Sequence, residues 1–250
     1  MNNYKDQVIE SRNITEEEKK FIINLLDKYK MDKTNFINNA KTLKINKVKE
    51  PKLIVNGYDP LDNIIYYNDK SNYVCELLHV ASSKNDVYQG IIVKPNKVYK
   101  KPFGFGLNEG ITDLFLYRAT KKEGYFPFEK ICAKVLKYAY DNQIFDAYFK
   151  NNDSVFRHQF GLDKDITSLM MNLDEYTELA LIAKNEMLLR KELPLGLANA
   201  TKIMMNMVIE ELLEFVKDSK KDCKAYLEKQ LKSKTMKPIY DIIGEYEIKD

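Results

Sequence analysis

Three residues on one predicted helix have the types and the spacing to hold and use a metal ion. Cys75, Glu76 and His79 form the pattern Cys-Glu-x-x-His. Residues four apart on an α-helix lie one turn apart on the same face, so this thiol and this imidazole can grip one ion. The glutamate between them can take a proton from an attacking water. The pattern corresponds to the zinc helix His-Glu-x-x-His, with cysteine in place of the first histidine.

A second group of polar residues follows 30 positions after His79 (109 − 79), in the segment Leu-Asn-Glu-Gly. Here Asn108 and Glu109 stand between Leu107 and Gly110, and Asp113 lies four residues beyond Glu109. Because this spacing is one helical turn, the two carboxylates share one face of a predicted helix.

Together the two segments resemble the gluzincin group of zincin-like metallopeptidases. Gluzincins take a third zinc ligand from a glutamate on a second helix, and thermolysin-like members carry Asn-Glu-x-x-x-Asp there, as this chain does from Asn108 to Asp113. The chain also resembles uncharacterised bacterial zincin-like proteins in two short segments. These are Leu-His-Val-Ala-Ser-Ser at residues 78–83 and Leu-Asn-Glu-Gly at residues 107–110. The resemblance extends over roughly residues 60–150.

The resemblance implies a zinc-dependent peptidase or a related amide hydrolase. Cys75, His79 and Glu109 would be the metal ligands, Zn²⁺ the cofactor and Glu76 the general base. The substrate would be a peptide or a protein. The implied fold class is α+β and helix-rich, with a zincin-like core, a small N-terminal sheet, an active-site helix and a C-terminal helical subdomain.

Three further residues receive supporting roles from the same resemblance. Asn108 and Asp113 would orient the ligand side chains from behind, which fixes imidazole tautomers and strengthens ligation. His158, the only histidine besides His79, would act as a catalytic residue that stabilises the oxyanion.

The cysteine at position 75 leaves two interpretations open. In the first, Cys75 binds zinc as a thiolate, and the extra negative charge makes the metal a weaker Lewis acid than one held by two histidines. In the second, the site binds no metal, and the chain is a catalytically inactive zincin-fold protein that acts as a binding or regulatory module. Asp113 is awkward for both, because a carboxylate placed beside a thiol opposes thiolate formation.

The elements that position these residues follow from local patterns. A capping box at Thr15 and Glu18 predicts a helix over about 15–30, and apolar runs predict strands at 53–55 and 64–67. The metal helix is predicted over about 71–83, with Val74, Leu77, Leu78 and Ala81 as its buried stripe. Further helices are predicted at about 107–120, 127–141, 165–190 and 197–232, with strands near 87–93 and 98–99 and short helical segments near 144–160.

The composition bounds the remaining possibilities. The chain has 250 residues, 44% of them hydrophobic, which is typical of a globular protein. We expect an N-terminal helix and lead-in at 1–50, a zincin-like catalytic core at 51–160 and a C-terminal helical subdomain at 161–250. Three sparse cysteines and the lack of an apolar leader in residues 1–20 favour a cytoplasmic protein.

The charge distribution bears on partners. The net charge of +3 is small, and the basic segment from Lys217 to Lys237 is interrupted by acidic residues, as in a solvated helix face. We therefore expect neither a membrane nor a nucleic acid as partner. The oligomeric state does not follow from the sequence.

Overall fold

The structure is a computed structural model that describes residues 4–49, 56–68, 73–84, 88–92, 101–122, 124–150 and 166–244. Two compact units divide the chain. Unit 1 comprises Met1–Ile91 and Phe145–Asn152, and unit 2 comprises Ile92–Ile144 and Asp153–Asp250. The expected segments 1–50, 51–160 and 161–250 stay a prediction.

The described residues of unit 1 form a four-stranded mixed sheet, a 3-10 helix at Tyr4–Gln7, three complete α-helices and part of a fourth. The strands are β1 (Val8–Asn13), β2 (Lys44–Val48), β3 (Asn56–Asp59) and β4 (Ile64–Tyr67) in the order β1-β2-β4-β3. The central pair β2 and β4 is parallel, and the two outer pairs are antiparallel. The helices are α1 (Glu16–Lys28), α2 (Thr34–Asn39) and α3 (Val74–Ser82), and a two-stranded hairpin of β5 (Ser83–Lys84) and β6 (Tyr88–Gln89) follows.

Buried apolar side chains from sheet and helices form the core of unit 1. Ile45 on β2 and Ile65 on β4 are paired in register and are both buried. The capping box that begins α1 is present as predicted, since Thr15 Oγ1 accepts from the Glu18 amide and Glu18 accepts from the Thr15 amide. It directs Ile22 and Leu26 into the core.

Unit 2 is helical over its described residues. Its helices are α4 (Phe105–Thr120), α5 (Pro127–Tyr140), α7 (Thr167–Arg190), α8 (Leu195–Val216), α9 (Cys223–Leu231) and α10 (Lys237–Ile243). The connecting helix α6 (Gln143–Lys150) begins in unit 2 and supplies residues 145–150 to unit 1. Packing of α4 against α5 and α7, and of α7 against α8, organises the unit.

The architecture confirms a helix-rich α+β fold with a small sheet in the N-terminal part. One helix prediction is wrong: the single helix expected over 197–232 is two helices, α8 and α9. The Asp222 side chain accepts from the Ala225 amide and caps a new helix there. The predicted strands at 53–55 and 98–99 lie outside the described residues.

No helix in the described part of the chain combines the length and the apolar character that a membrane crossing requires.

Candidate metal helix and the second motif

The predicted metal helix, α3, is buried on nearly all sides. Leu77, Leu78 and Ala81 are buried as predicted, while Val74 is half-buried. The polar face is buried as well: Cys75 and Glu76 are 7% and 6% exposed, and His79 is 1% exposed. Burying polar groups costs free energy unless they are hydrogen-bonded, so the partners of these three side chains show how the helix is used.

His79 is held by a tyrosine that the sequence gave no reason to single out. The hydroxyl of Tyr148 on α6 lies 3.2 Å from Nδ1 of His79, and both groups are buried. A hydrogen bond at Nδ1 fixes the ring orientation and makes Nε2 the nitrogen that a metal would use. The sequence gives little indication of this role, because Tyr148 lies among the other aromatic residues of α6 and nothing nearby in the sequence identifies His79 as its partner.

Cys75 and Glu76 interact with each other. The thiol of Cys75 lies 3.4 Å from Oε1 of Glu76 and donates to it. A hydrogen bond therefore joins the predicted sulfur ligand, Cys75, to the predicted general base, Glu76. All three cysteines of the chain are buried free thiols.

Polar contacts hold both ends of α3. At its start, the Tyr73 hydroxyl donates to Glu18 and accepts from Arg12 at 2.7 Å. Burial alone would raise the pKa of Glu18, but hydrogen bonds from Arg12 and Tyr73 lower it to about 2. At its end, the Asn39 amide donates to the carbonyls of Val80 and Ser83 at 3.0 and 2.8 Å. The Asn39 contacts satisfy two carbonyls at the end of α3, and the Tyr73 contacts join its start to Arg12 and Glu18.

The second motif occupies the first half of α4. Leu107, Asn108 and Gly110 are buried, and Glu109 is half-buried. A Cβ at position 110 would lie 2.2 Å from the backbone oxygen of Glu129, so only glycine permits this approach of α4 to α5. The glycine of Leu-Asn-Glu-Gly is thus explained by helix packing.

The start of α4 is capped from another helix. Asp174 on α7 accepts from the amides of Gly104 and Gly106 at 2.8 and 2.7 Å. Burial raises the pKa of Asp174 to about 6 even though these donors oppose the rise. The cap adds a carboxylate to the positive end of the helix dipole.

Asp113 has a described contact within unit 2. Its Oδ2 accepts from the amide of Phe126 at 2.7 Å, just before α5 begins. A Cβ at Gly124 would fall 1.8 Å from Oδ1, so the preceding turn closes directly on this carboxylate. Asp113 therefore fixes the entry into α5, and its predicted role in orienting a ligand stays a prediction, as does that of Asn108.

A cavity of about 370 Å³ lies in unit 2 beside α5 and α7. Phe126, Leu181, Ile239 and Ile242 supply apolar walls, and Glu129, Thr177 and Lys184 supply polar groups. This volume and this mixture of walls are typical of small-molecule pockets.

Glu129 is the most perturbed acid that lines this cavity. It is 2% exposed and accepts from the Thr177 hydroxyl at 2.8 Å. Burial, together with the charges of Asp113 and Glu109, raises its pKa to about 7. Burial lowers the pKa of Lys184, and the charges of Glu129 and Asp113 partly restore it. Sequence reasoning missed Glu129, because Phe-Glu-Lys at the start of a helix is typical of ordinary dipole compensation.

The predicted ligands are distributed over the two units, with Cys75 and His79 in unit 1 and Glu109 in unit 2. The donors of α3 fit zinc: a thiol and an imidazole lie one helical turn apart, and Tyr148 holds the imidazole. Within each unit, the described residues contain no group of three or more His, Cys, Asp or Glu side chains arranged to hold a metal ion. His158 lies outside the described residues.

Comparison with known proteins adds no relative: no family model, curated protein or solved structure matches this chain.

Proposed function

We propose that this chain is a zinc-dependent peptidase or related amide hydrolase with a zincin-like core, acting in the cytoplasm on a peptide or protein. The observation that carries the proposal is the buried polar face of α3. Burial removes the hydration of the carboxylate and the imidazole at a cost in free energy, and a metal site that uses the thiol, the carboxylate and the imidazole would account for their placement on one buried helix.

In this proposal Cys75, His79 and Glu109 would hold the zinc ion. Zinc supplies a Lewis acid that polarises a carbonyl and lowers the pKa of water. Glu76 would act as the general base and take a proton from the attacking water. Its carboxylate accepts a hydrogen bond from the Cys75 thiol in this structure. Tyr148 keeps the His79 ring in place, and His158 would stabilise the developing oxyanion.

Metal content and peptide hydrolysis test the proposal together. Protein purified without chelator should contain one zinc per chain, and Glu76→Gln should lower hydrolysis by about 100-fold or more while zinc remains. Cys75→Ser should lose the zinc, and Cys223→Ser is the matched control because Cys223 is also a buried free thiol. Protein without stoichiometric zinc, whose peptide cleavage is absent or independent of Glu76, would refute the proposal.

The second candidate is an inactive zincin-fold protein that binds or regulates a partner. The contact between the Cys75 thiol and Glu76 favours this candidate. Zinc binds cysteine as a thiolate, whereas here the thiol keeps its proton and donates it to the carboxylate that would serve as the general base. Cys75→His separates the two candidates. If the variant gains zinc and hydrolysis that the wild type lacks, the second candidate is correct. If the wild type already has both, it is wrong.

A further inference from the structure

Cationic side chains from two helices gather around an open groove in unit 2, and none of the described lining residues is assigned to zinc. The groove has a volume of about 390 Å³ and lies between α4, α5 and α9. Arg118, Lys121, Lys134 and Lys137 line it, and no acidic residue is among the described lining residues. This concentration of charge is unlike the chain as a whole, whose net charge is only +3.

The cations crowd one aromatic ring in particular. The ammonium groups of Lys121, Lys130 and Lys134 lie 5.7, 5.1 and 5.8 Å from the centroid of the Tyr117 ring. Lys130 is 1% exposed, so its charge is buried within unit 2. Three cations gathered at one ring favour an anion beside it.

Neighbouring amides hold two of the lining cations in place. Lys134 donates to Oε1 of Gln230 at 3.1 Å, and Arg118 donates to Oδ1 of Asn142 at 3.3 Å. Burial, and the nearby charges of Arg118 and Lys221, lower the pKa of Lys137, although Asp141 opposes this. Two of the cations that line the groove are therefore fixed by hydrogen bonds, and Lys137 lies close enough to Arg118 to respond to its charge.

Tyrosines provide the other half of the groove. Tyr138 on α5 and Tyr226 on α9 stack with their ring centroids 4.2 Å apart and their planes at 9°. Both rings line the groove together with Tyr117. Because Tyr138 and Tyr226 each cover one face of the other, and the Lys221 ammonium lies 5.5 Å from the centroid of the Tyr138 ring, a base would stack on the face of Tyr226 that is turned away from Tyr138. Fixed cations beside an aromatic face match a ligand with a planar ring and a phosphate, because bases stack on tyrosine and phosphate binds lysine and arginine.

We propose that this groove binds a nucleoside phosphate, with the phosphate among Arg118, Lys134 and Lys137 and the base against the tyrosine wall. The volume falls in the range of small-molecule sites and suits one nucleotide unit. Inorganic phosphate would leave the aromatic wall unused, and an acidic peptide has no ring to stack there. A single-stranded nucleic acid would need an extended track of such groups instead of one compact groove.

Calorimetric titration of the full chain with AMP and ATP tests the site. We expect both to bind, more weakly as salt is raised, and the variant Arg118→Gln/Lys134→Gln to weaken binding about tenfold or more. Tyr226→Leu should weaken AMP binding several-fold while leaving the response to inorganic phosphate unchanged. The control is Lys224→Gln/Lys229→Gln, which removes two exposed charges from the same helix α9 outside the groove and should bind AMP as the wild type does.

Each of three results would overturn the proposal. The first is AMP and ATP binding no tighter than inorganic phosphate. The second is an equal loss of affinity in the groove and control variants, which would indicate a general charge effect. The third is a single-stranded oligonucleotide that binds while free nucleotides do not. Thermal unfolding of every variant establishes that it is folded. The variant Tyr226→Phe keeps the aromatic ring and should therefore bind AMP as the wild type does.

Discussion

His79 is the residue whose surroundings say most about the use of α3. It is buried with Cys75 and Glu76, and its Nδ1 is joined to a hydroxyl from α6. Burying an imidazole in a purely apolar environment costs free energy, because the ring nitrogens lose their hydrogen bonds to water. The hydrogen bond with Tyr148 offsets part of that cost. The contact therefore affects stability and any metal that Nε2 binds.

Tyr148→Phe removes this hydroxyl and leaves the ring. We expect a loss of about 1 kcal/mol in the free energy of unfolding, because the buried imidazole keeps its desolvation cost and loses a partner. Zinc affinity should fall about tenfold or more, since the ring is no longer held. Urea unfolding and a zinc competition assay measure the two effects.

Tyr176→Phe is the matched control for that variant. The hydroxyl of Tyr176 is also buried, but it has no hydrogen-bond partner among the described residues. Its removal should leave stability unchanged or slightly higher. Equal destabilisation by both variants would show that the Tyr148 contact does not stabilise the protein.

Glu129 predicts a pH dependence of stability. Its pKa is about 7 in the folded protein and near 4.5 when unperturbed, so its neutral form favours folding. That contribution is complete below pH 4.5 and is lost as the pH rises through 7, at a cost of about 3 kcal/mol. Glu129→Gln should therefore gain stability relative to the wild type over this interval, as measured by urea unfolding at pH 5 and pH 8. Parallel stability curves for the two proteins would contradict the assignment.

At the scale of elements, α4 is positioned by glycines as much as by side chains. Gly106 and Gly110 let it approach Thr177 on α7 and the backbone of α5 so closely that a Cβ would overlap with atoms there. The segment Leu-Asn-Glu-Gly thus has a packing reason for its glycine that is independent of metal binding.

Gly110→Ala should destabilise the protein by several kcal/mol, because the backbone oxygen of Glu129 cannot move away without shifting α5. The comparison is Gly196→Ala at the start of α8, where nothing lies within 4 Å of the added Cβ. That substitution should stabilise by up to about 1 kcal/mol, as alanine is the better helix former. Thermal unfolding of both variants would decide, and a tolerated Gly110→Ala would refute the close packing.

Elements determined by local signals could be predicted from the sequence, and those determined by distant partners could not. The capping box of α1, strand β4, helix α3 and the proline that begins α5 all depend on neighbouring residues. Strand β2 reads Lys-Ile-Asn-Lys-Val and looks like a polar loop, because it is defined by parallel pairing with β4.

The same distinction applies to the candidate site. The placement of Cys75, Glu76 and His79 on one helix could be predicted from their spacing, whereas their role as a metal site stays a prediction. Tyr148 could not, because it lies 69 residues from His79 along the chain, and neither could Glu129, whose partner Thr177 lies 48 residues away. A single sequence carries no signal for contacts of this kind.

At the scale of the whole molecule, unit 1 is discontinuous in sequence. Residues 145–152 return to it after the chain has contributed 92–144 to unit 2. Phe145, Tyr148 and Phe149 of this returning segment are buried, and Asn35 donates to the carbonyl of Phe149 at 3.2 Å. The segment is therefore part of the core of unit 1.

A fragment of residues 1–91 should not fold cooperatively on its own, because it lacks these three core side chains. Joining residues 145–152 to it through a flexible Gly/Ser linker should restore a cooperative urea transition. The same linked fragment with Tyr148 and Phe149 changed to alanine serves as the control and should remain unfolded. A sharp transition for 1–91 alone would show that the segment is dispensable.

This discontinuity also determines when α3 can be completed during synthesis. Tyr148 is synthesised 69 residues after His79, so the imidazole of His79 cannot contact the hydroxyl of Tyr148 until those residues have been added. Until then the His79 imidazole lacks the hydroxyl and the ring that Tyr148 brings to it. In the nascent chain the His79 ring would therefore be held less firmly than in the folded protein until residues 145–150 join unit 1.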